Sequence, residues 1–252
     1  AGVHTGDDGC ACSTIGSTGV HMRSVASDDV YLNKEGTGYV ICLPIPNRVT
    51  QVQTNMAATL NIDWVLDLAR DITCTFGSNP THAELVDQID NWVTSAKPAS
   101  LIYHPYISEA GERGPFVDSS ARAGFLGLNS THGFADLMRA VVEGLGMAAR
   151  DCYSSMGSMP TELRLTGGAA RSVILRQILA ACLNTPVRIS NREEAGAAGC
   201  GMMAAVAIGV YQNMEHCIAE WTTPLLDEVG KPNAGLVSKY DVLFRNYYQS
   251  RK

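Results

Sequence analysis

The chain has 252 residues, 46% apolar and 17% charged, a globular balance rather than a disordered one. Its net charge of −6 has the wrong sign for a surface that neutralises nucleic-acid phosphates. The longest apolar run, residues 202–208, ends at Gly209 and falls far short of the ~20 residues that span a bilayer, so neither nucleic acid nor membrane is an expected partner.

Residues 10–15, small and β-branched, read as a strand. Gly16-Ser17-Thr18-Gly19 is a tight turn, and residues 20–25 alternate apolar and polar as the second strand of a hairpin. Residues 39–43 give a third strand, ended by Pro44 and Pro46. Leu60, Trp64, Val65, Leu68 and Ile72 form one apolar stripe of a helix. Thr81-His82-Ala83-Glu84 is a capping box, opening a helix that buries Leu85, Ile89, Trp92 and Val93 and stops at Pro98. Residues 101–114, with Pro105, Gly111 and Gly114, read as an ordered loop. Phe134, Leu137, Met138, Val141, Leu145 and Ala148 mark an amphipathic helix, with Asp136 near its positive end.

The last third alternates. Residues 162–166 read as a strand, Gly167-Gly168 as a turn, and residues 172–183 as a helix with Ile174, Ile178 and Cys182 on one face. Asn184 and Pro186 end it; residues 187–190 are a strand and 193–208 a helix rich in Gly and Ala. This order predicts an α/β fold, a mixed sheet with helices on both faces. No composition break divides the chain, so residues 1–252 are expected to form one domain, with 222–252 a more polar tail bearing a helix near residues 240–248. The start at Ala1, without Met or targeting segment, reads as the interior of a larger protein.

Eight cysteines are scattered without a CxxC pair or zinc spacing, and are expected to be buried, reduced thiols, as suits a cytoplasmic protein. The six histidines are isolated: His21 is expected to face solvent and His104 to brace the loop. Asp7 and Asp8 read as part of a polar turn, and Glu112-Arg113 as a structural ion pair.

Two Gly-rich turns stand out. The amides of Gly16-Ser17-Thr18-Gly19 suit an anion, with the two hydroxyls adding hydrogen bonds; an ordinary hairpin turn has the same spacing. Thr166-Gly167-Gly168-Ala169 lies between strand and helix, where a Gly pair lets a ligand approach the backbone or simply packs tightly. Gly196, Gly199 and Gly201 fit a helix packed closely on a sheet.

Taken in order, the motifs resemble the C-terminal domain of the FGGY family of carbohydrate kinases, over residues 9–211. Ala123-Gly124-Phe125-Leu126-Gly127-Leu128, seven residues, then Asp136-Leu137-Met138-Arg139-Ala140-Val141-Val142-Glu143 resembles the family's second signature. His104-Pro105-Tyr106 with Gly111-Glu112-Arg113-Gly114-Pro115, Leu165-Thr166-Gly167-Gly168-Ala169 and Glu193-Glu194-Ala195-Gly196-Ala197-Ala198-Gly199 resemble its loop, adenosine motif and closing helix. The resemblance implies an actin/ribonuclease H-like ATPase domain, facing an N-terminal sugar-binding domain across a cleft. It implies ATP and Mg²⁺ as cofactors and a small sugar or polyol as partner, and a homodimer is a further expected state. It makes Gly16, Ser17, Thr18 and Gly19 the phosphate turn, with Ser17 beside the γ-phosphate, and puts Gly167, Gly168 and Ala169 at adenosine. Thr59 and Asp63 stand where relatives carry Gly and Gln near the nucleotide. The family's catalytic Asp falls some twenty residues before the phosphate turn, ahead of Ala1, so no catalytic residue is assigned in this chain and none to metal. Within the family the motifs look most like the branch containing erythritol kinases, with xylulose as another substrate candidate. The rival reading is a non-enzymatic nucleotide-binding or regulatory module of the same superfold.

Overall fold

A computed structural model describes residues 2–3, 9–192 and 194–251. Asp7, Asp8 and Glu193 lie outside the described residues, as does the side chain of Ala169. The described residues form a six-stranded mixed sheet and a small two-stranded one. β1 (Cys10–Ile15) and β2 (Gly19–Ala26) make the expected hairpin, with Ile15 opposite Gly19. β3 (Tyr39–Cys42) and β4 (Arg48–Asn55) continue it antiparallel, β4 pairing β2 along its whole length. On the other side of β1 lie β7 (Glu162–Thr166) and β8 (Val187–Ile189), both parallel, giving the order β3-β4-β2-β1-β7-β8.

β4 has no counterpart in the sequence reading, because its interior is polar: Thr50, Gln51, Gln53 and Asn55 are all buried. Each finds partners there. Gln51 exchanges hydrogen bonds with the Tyr31 backbone, and Gln53 donates to the Thr37 carbonyl and hydroxyl. Burial of such groups is tolerated once they are bonded, and among them only the Gln53 Oε1 takes no partner among the described residues.

α1 (Thr59–Thr75) turns its expected stripe, Val65 apart, outward. Leu60, Trp64, Leu68 and Ile72 are 41–60% exposed, while Asn61, Ile62, Val65 and Leu66 face the core. The buried Asn61 is tolerated because it accepts from the Tyr103 hydroxyl and donates to Ala58 O. The capping box at Thr81 is present, but the helix behind it splits into α2 (His82–Val86) and α3 (Ile89–Ser95). Residues 101–114 are not all loop: β5 (Ile102–His104) pairs β6 (Gly124–Leu126).

α4 (Phe134–Ser154) lies across one face of the large sheet and is buried from Met138 to Ala149. Asp136 accepts from the Gly133 N–H at its start. α5 (Val173–Leu183) packs on α4 and ends at Asn184 in the left-handed conformation. The terminal helix, α8 (Ala234–Ser250), packs on α5 and places Tyr240, Leu243 and Tyr247 in the core.

α6 (Ala195–Ala207) departs from expectation. Its packing partner is α7 (Met214–Trp221), around a small separate cluster of Met202, Met214, Cys217 and Ile218. Gly196 looks onto open space, and Gly201 faces Trp221. Five of the cysteines are buried as expected, but Cys42, Cys74 and Cys200 are exposed. No described helix is long and apolar enough to cross a membrane.

Candidate functional site

The parallel pairing of β1 and β7 puts Thr14 opposite Thr166, so the two Gly-rich turns leave the sheet side by side. The Thr14 and Thr166 hydroxyls bond at 2.9 Å. A Cβ on Gly167 would lie 2.6 Å from the Ile15 carbonyl oxygen, and Gly167 has φ +89°. Glycine is required there by both space and conformation. Gly168 has no positive φ, and a Cβ on it would meet nothing within 4 Å. The two glycines therefore differ: Gly167 makes the turn, and Gly168 leaves space over it. Gly168 opens a short 3₁₀ turn ending at the exposed Arg171, a positive side chain the sequence reading passed over.

The start of α1 completes the site. Ala58 carries no capping side chain; instead the N–H groups of Ala58 and Thr59 donate to Ser17 O at 2.7 Å and Gly16 O at 2.9 Å. The hairpin turn is thus the helix's N-terminal cap, and it sits at the positive end of a 17-residue helix. Ser17 and Thr18 are exposed, and their hydroxyls take no partner among the described residues. A Cβ on Gly16 would also meet open space. Thr59 therefore lies at the turn, whereas Asp63, one helical turn on, faces His82 at 3.2 Å.

Behind the turn the structure corrects two expectations. His21 is 2% exposed, because β2 is an interior strand and this residue faces α4. It bonds Ser13 Oγ at 2.8 Å and Asn55 Oδ1 at 3.1 Å, and burial lowers its pKa to about 4. Glu112 does not engage the Arg113 guanidinium. Its Oε1 accepts from the backbone N–H groups of Met56, Arg113 and Gly114. Burial pushes that carboxyl up, against the pull of these donors. Through these charge-assisted bonds the carboxylate fixes the strand-to-helix joint before α1. His104 braces as expected: it sits against the Tyr106 and Tyr247 rings and bonds Ser250 Oγ.

Two open turns, unpartnered hydroxyls and a helix N-terminus thus meet at one edge of the sheet, a set of groups with the chemistry to receive an anion. Among the described residues no three His, Cys, Asp or Glu side chains gather as a metal site.

Residues 11–208 match the C-terminal domain of the FGGY family of carbohydrate kinases. The chain is 59% identical over 251 residues to an erythritol kinase of Brucella abortus, covering 100% of this chain and 48% of that protein. It is 27% identical to a xylulose kinase of Staphylococcus epidermidis, covering 98% of this chain and 49% of the relative. Among solved structures, a gluconate kinase from Lactobacillus acidophilus superposes with a TM-score of 0.83 at 23% identity, over 99% of this chain and 48% of that one, which shows the fold. The chain spans about half the length of the curated relatives it matches. It belongs to the FGGY family of carbohydrate kinases, as a C-terminal domain of the actin/ribonuclease H-like type.

Proposed function

We propose that this chain is the nucleotide-binding half of an ATP-dependent kinase that phosphorylates a hydroxyl of a small polyol, erythritol in the first place and a ketopentose such as xylulose in the second. The observation that carries the reading is the meeting of the 16–19 turn, the start of α1 and the Gly167-Gly168 turn at one edge of the sheet. The substrate choice is supported by the relatives' names.

In this reading residues 1–252 act as one domain, whose last helix is part of its core. The amides and hydroxyls of Ser17 and Thr18 hold the terminal phosphates, helped by the dipole of α1. Gly16 gives the backbone access, the buried Gly19 closes the turn beneath it, and Thr59 and Asp63 flank it from α1. Gly167, Gly168 and Ala169 line the adenosine side. Phosphoryl transfer is mostly positioning and charge stabilisation, and a fixed set of donors at the developing charge supplies both. Mg²⁺ bound through the phosphate oxygens would neutralise further charge. We assign the acceptor contacts and the Asp base to the N-terminal domain of the full-length protein, which would close over the cleft and exclude water.

The test is ADP release by the full-length protein with erythritol, with xylulose and with no acceptor. Erythritol-dependent turnover is expected. ADP release indifferent to either acceptor, or no ATP binding, overturns the reading.

A further inference from the structure

Beneath the 16–19 turn runs a buried chain of polar groups that the reaction itself does not use. Asn55 Nδ2 donates to Gly114 O at 3.0 Å, so its Oδ1 is the acceptor facing His21 Nε2 at 3.1 Å. Nε2 therefore carries the ring proton, and in the neutral ring Nδ1 accepts from the Ser13 hydroxyl at 2.8 Å. Ser13 Oγ in turn lies 2.9 Å from the Tyr153 hydroxyl. The donors point one way from Ser13 on β1 through His21 on β2 and Asn55 on β4 to Gly114 O, and the Tyr153 hydroxyl on α4, which also donates to Cys12 O at 3.1 Å, closes the other end. Ser13, His21, Asn55 and Tyr153 are each 4% exposed or less, so none has water as an alternative partner.

This chain meets the turn at one residue. Gly19 is paired with Asn55 across the strands, and a Cβ on Gly19 would lie 3.1 Å from His21 Nε2 and 3.3 Å from Asn55 Oδ1. The His21–Asn55 bond thus fixes the end of β2 against the end of β4. Three residues after Asn55, the Ala58 N–H holds Ser17 O. The turn is gripped from below through Gly19 and from the side by α1, and both grips hang on the spacing of β2 and β4.

We propose that His21 is a positioning residue, which through Asn55 and Gly19 sets the 16–19 turn for the phosphate chain of the nucleotide. It touches no ligand. The proposal rests on the nucleotide reading above and adds a residue to it. A phenylalanine fits the ring's place but takes away the acceptor of the Ser13 hydroxyl and the ring N–H that the Asn55 oxygen accepts from. A glutamine offers one donor and one acceptor at similar reach.

The experiment compares full-length wild type, His21→Phe and His21→Gln by calorimetry with ATP, ADP and adenosine, and by KM for ATP and for erythritol. His21→Phe is expected to weaken ATP and ADP about tenfold, the scale of one buried hydrogen bond left unmade, with adenosine within about twofold. KM for ATP should rise more than KM for erythritol, and His21→Gln should recover most of the loss. Should His21→Phe fail to fold, His21→Asn, too short to bridge Ser13 and Asn55, carries the same expectation. An unchanged ratio of ATP to adenosine affinity, whether neither weakens or both weaken together, overturns the role of His21 and leaves the nucleotide reading standing. A wild-type protein that binds none of the three overturns that reading, and this proposal with it.

Discussion

Glu143 and Arg139, one turn apart on α4, are joined at 2.6 Å and nearly sealed from solvent. Around them the polar groups are paired. Glu143 also accepts from the Tyr240 hydroxyl and the Ala99 N–H, while Arg139 donates to Val93 O and Tyr240. The pair ties α4 to α3, to the left-handed residue Ala99 and to α8. Both residues belong to the stretch that resembles the family's signature, yet neither is at the 16–19 turn. Their work is structural.

Replacing Glu143 with Gln keeps the shape and removes the charge that balances a buried guanidinium. Breaking a buried pair costs about 3–5 kcal/mol. We expect Glu143→Gln to lower the melting temperature of the full-length protein by several degrees, with a smaller effect on the chemical step. The checks are a thermal melt and single-turnover rates on protein that is still folded. A large fall in rate at unchanged stability would move Glu143 into the site.

The buried histidines set a pH dependence. Burial lowers His21 to about 4, and burial with the nearby Arg251 charge lowers His104 to about 4. Unfolded, each takes a proton near pH 6.5. The unfolded state therefore binds more protons between about pH 6.5 and 4, and stability falls as pH falls through that window. Asp151 opposes this, because burial raises it to about 6 despite Arg251 beside it, so the fold gains from its protonation below that pH. His21→Gln removes one histidine from the balance. Its stability deficit against wild type should shrink by about 2 kcal/mol between pH 7 and pH 5, at 1.36 kcal/mol per unit. Melts at the two pH values check this; a constant deficit would mean that His21 is not held neutral.

The two turns, β7, α4, α5 and the 123–143 signature are legible in the sequence because local chemistry sets them. Gly at a sharp turn, Asn184 at a left-handed helix end and a regular apolar period need no distant partner to be read. What was not legible depends on partners far along the chain. β4 hides its strand character under Gln51, Gln53 and Asn55, each of which donates to a residue 16 to 59 positions away. His21 looked like a surface residue until β4 covered one side of β2 and α4 its face. The period along α1 was real, but it marks the outer face; the helix is seated by Ile62, Val65, Leu66 and a bonded Asn61. Glu112 and Arg113 are adjacent and opposite in charge, which suggests a pair, but three backbone amides compete better for that carboxylate.

Gly167 and Gly168 separate backbone need from ligand room. Gly167→Ala forces a Cβ to 2.6 Å from a backbone oxygen at φ +89°. Strain and overpacking of this kind cost about 1–3 kcal/mol each. The expected result is a melting temperature several degrees lower in the absence of any nucleotide, read by circular dichroism. A variant as stable as wild type would show that the turn can relax, and that its glycine serves something else.

Gly168 should behave in the opposite way. A Cβ there meets no protein atom within 4 Å and needs no unusual backbone, so Gly168→Val is expected to fold and melt close to wild type. The space it fills lies beside the end of β1 and ahead of α5, whose start is capped by Ser172. If adenosine occupies that space, valine displaces it. The loss should be about tenfold or more in ATP affinity, since overpacking costs about 1–3 kcal/mol and 1.4 kcal/mol is a factor of ten. Adenosine itself should weaken as much as ATP. That pattern is the reverse of the one expected when His21 is changed, where the phosphates carry the loss. Calorimetry on the full-length variant, after its melt has been matched to wild type, decides the matter. A stable Gly168→Val protein with unchanged affinity for both ligands would make this turn a packing device and put the adenosine elsewhere.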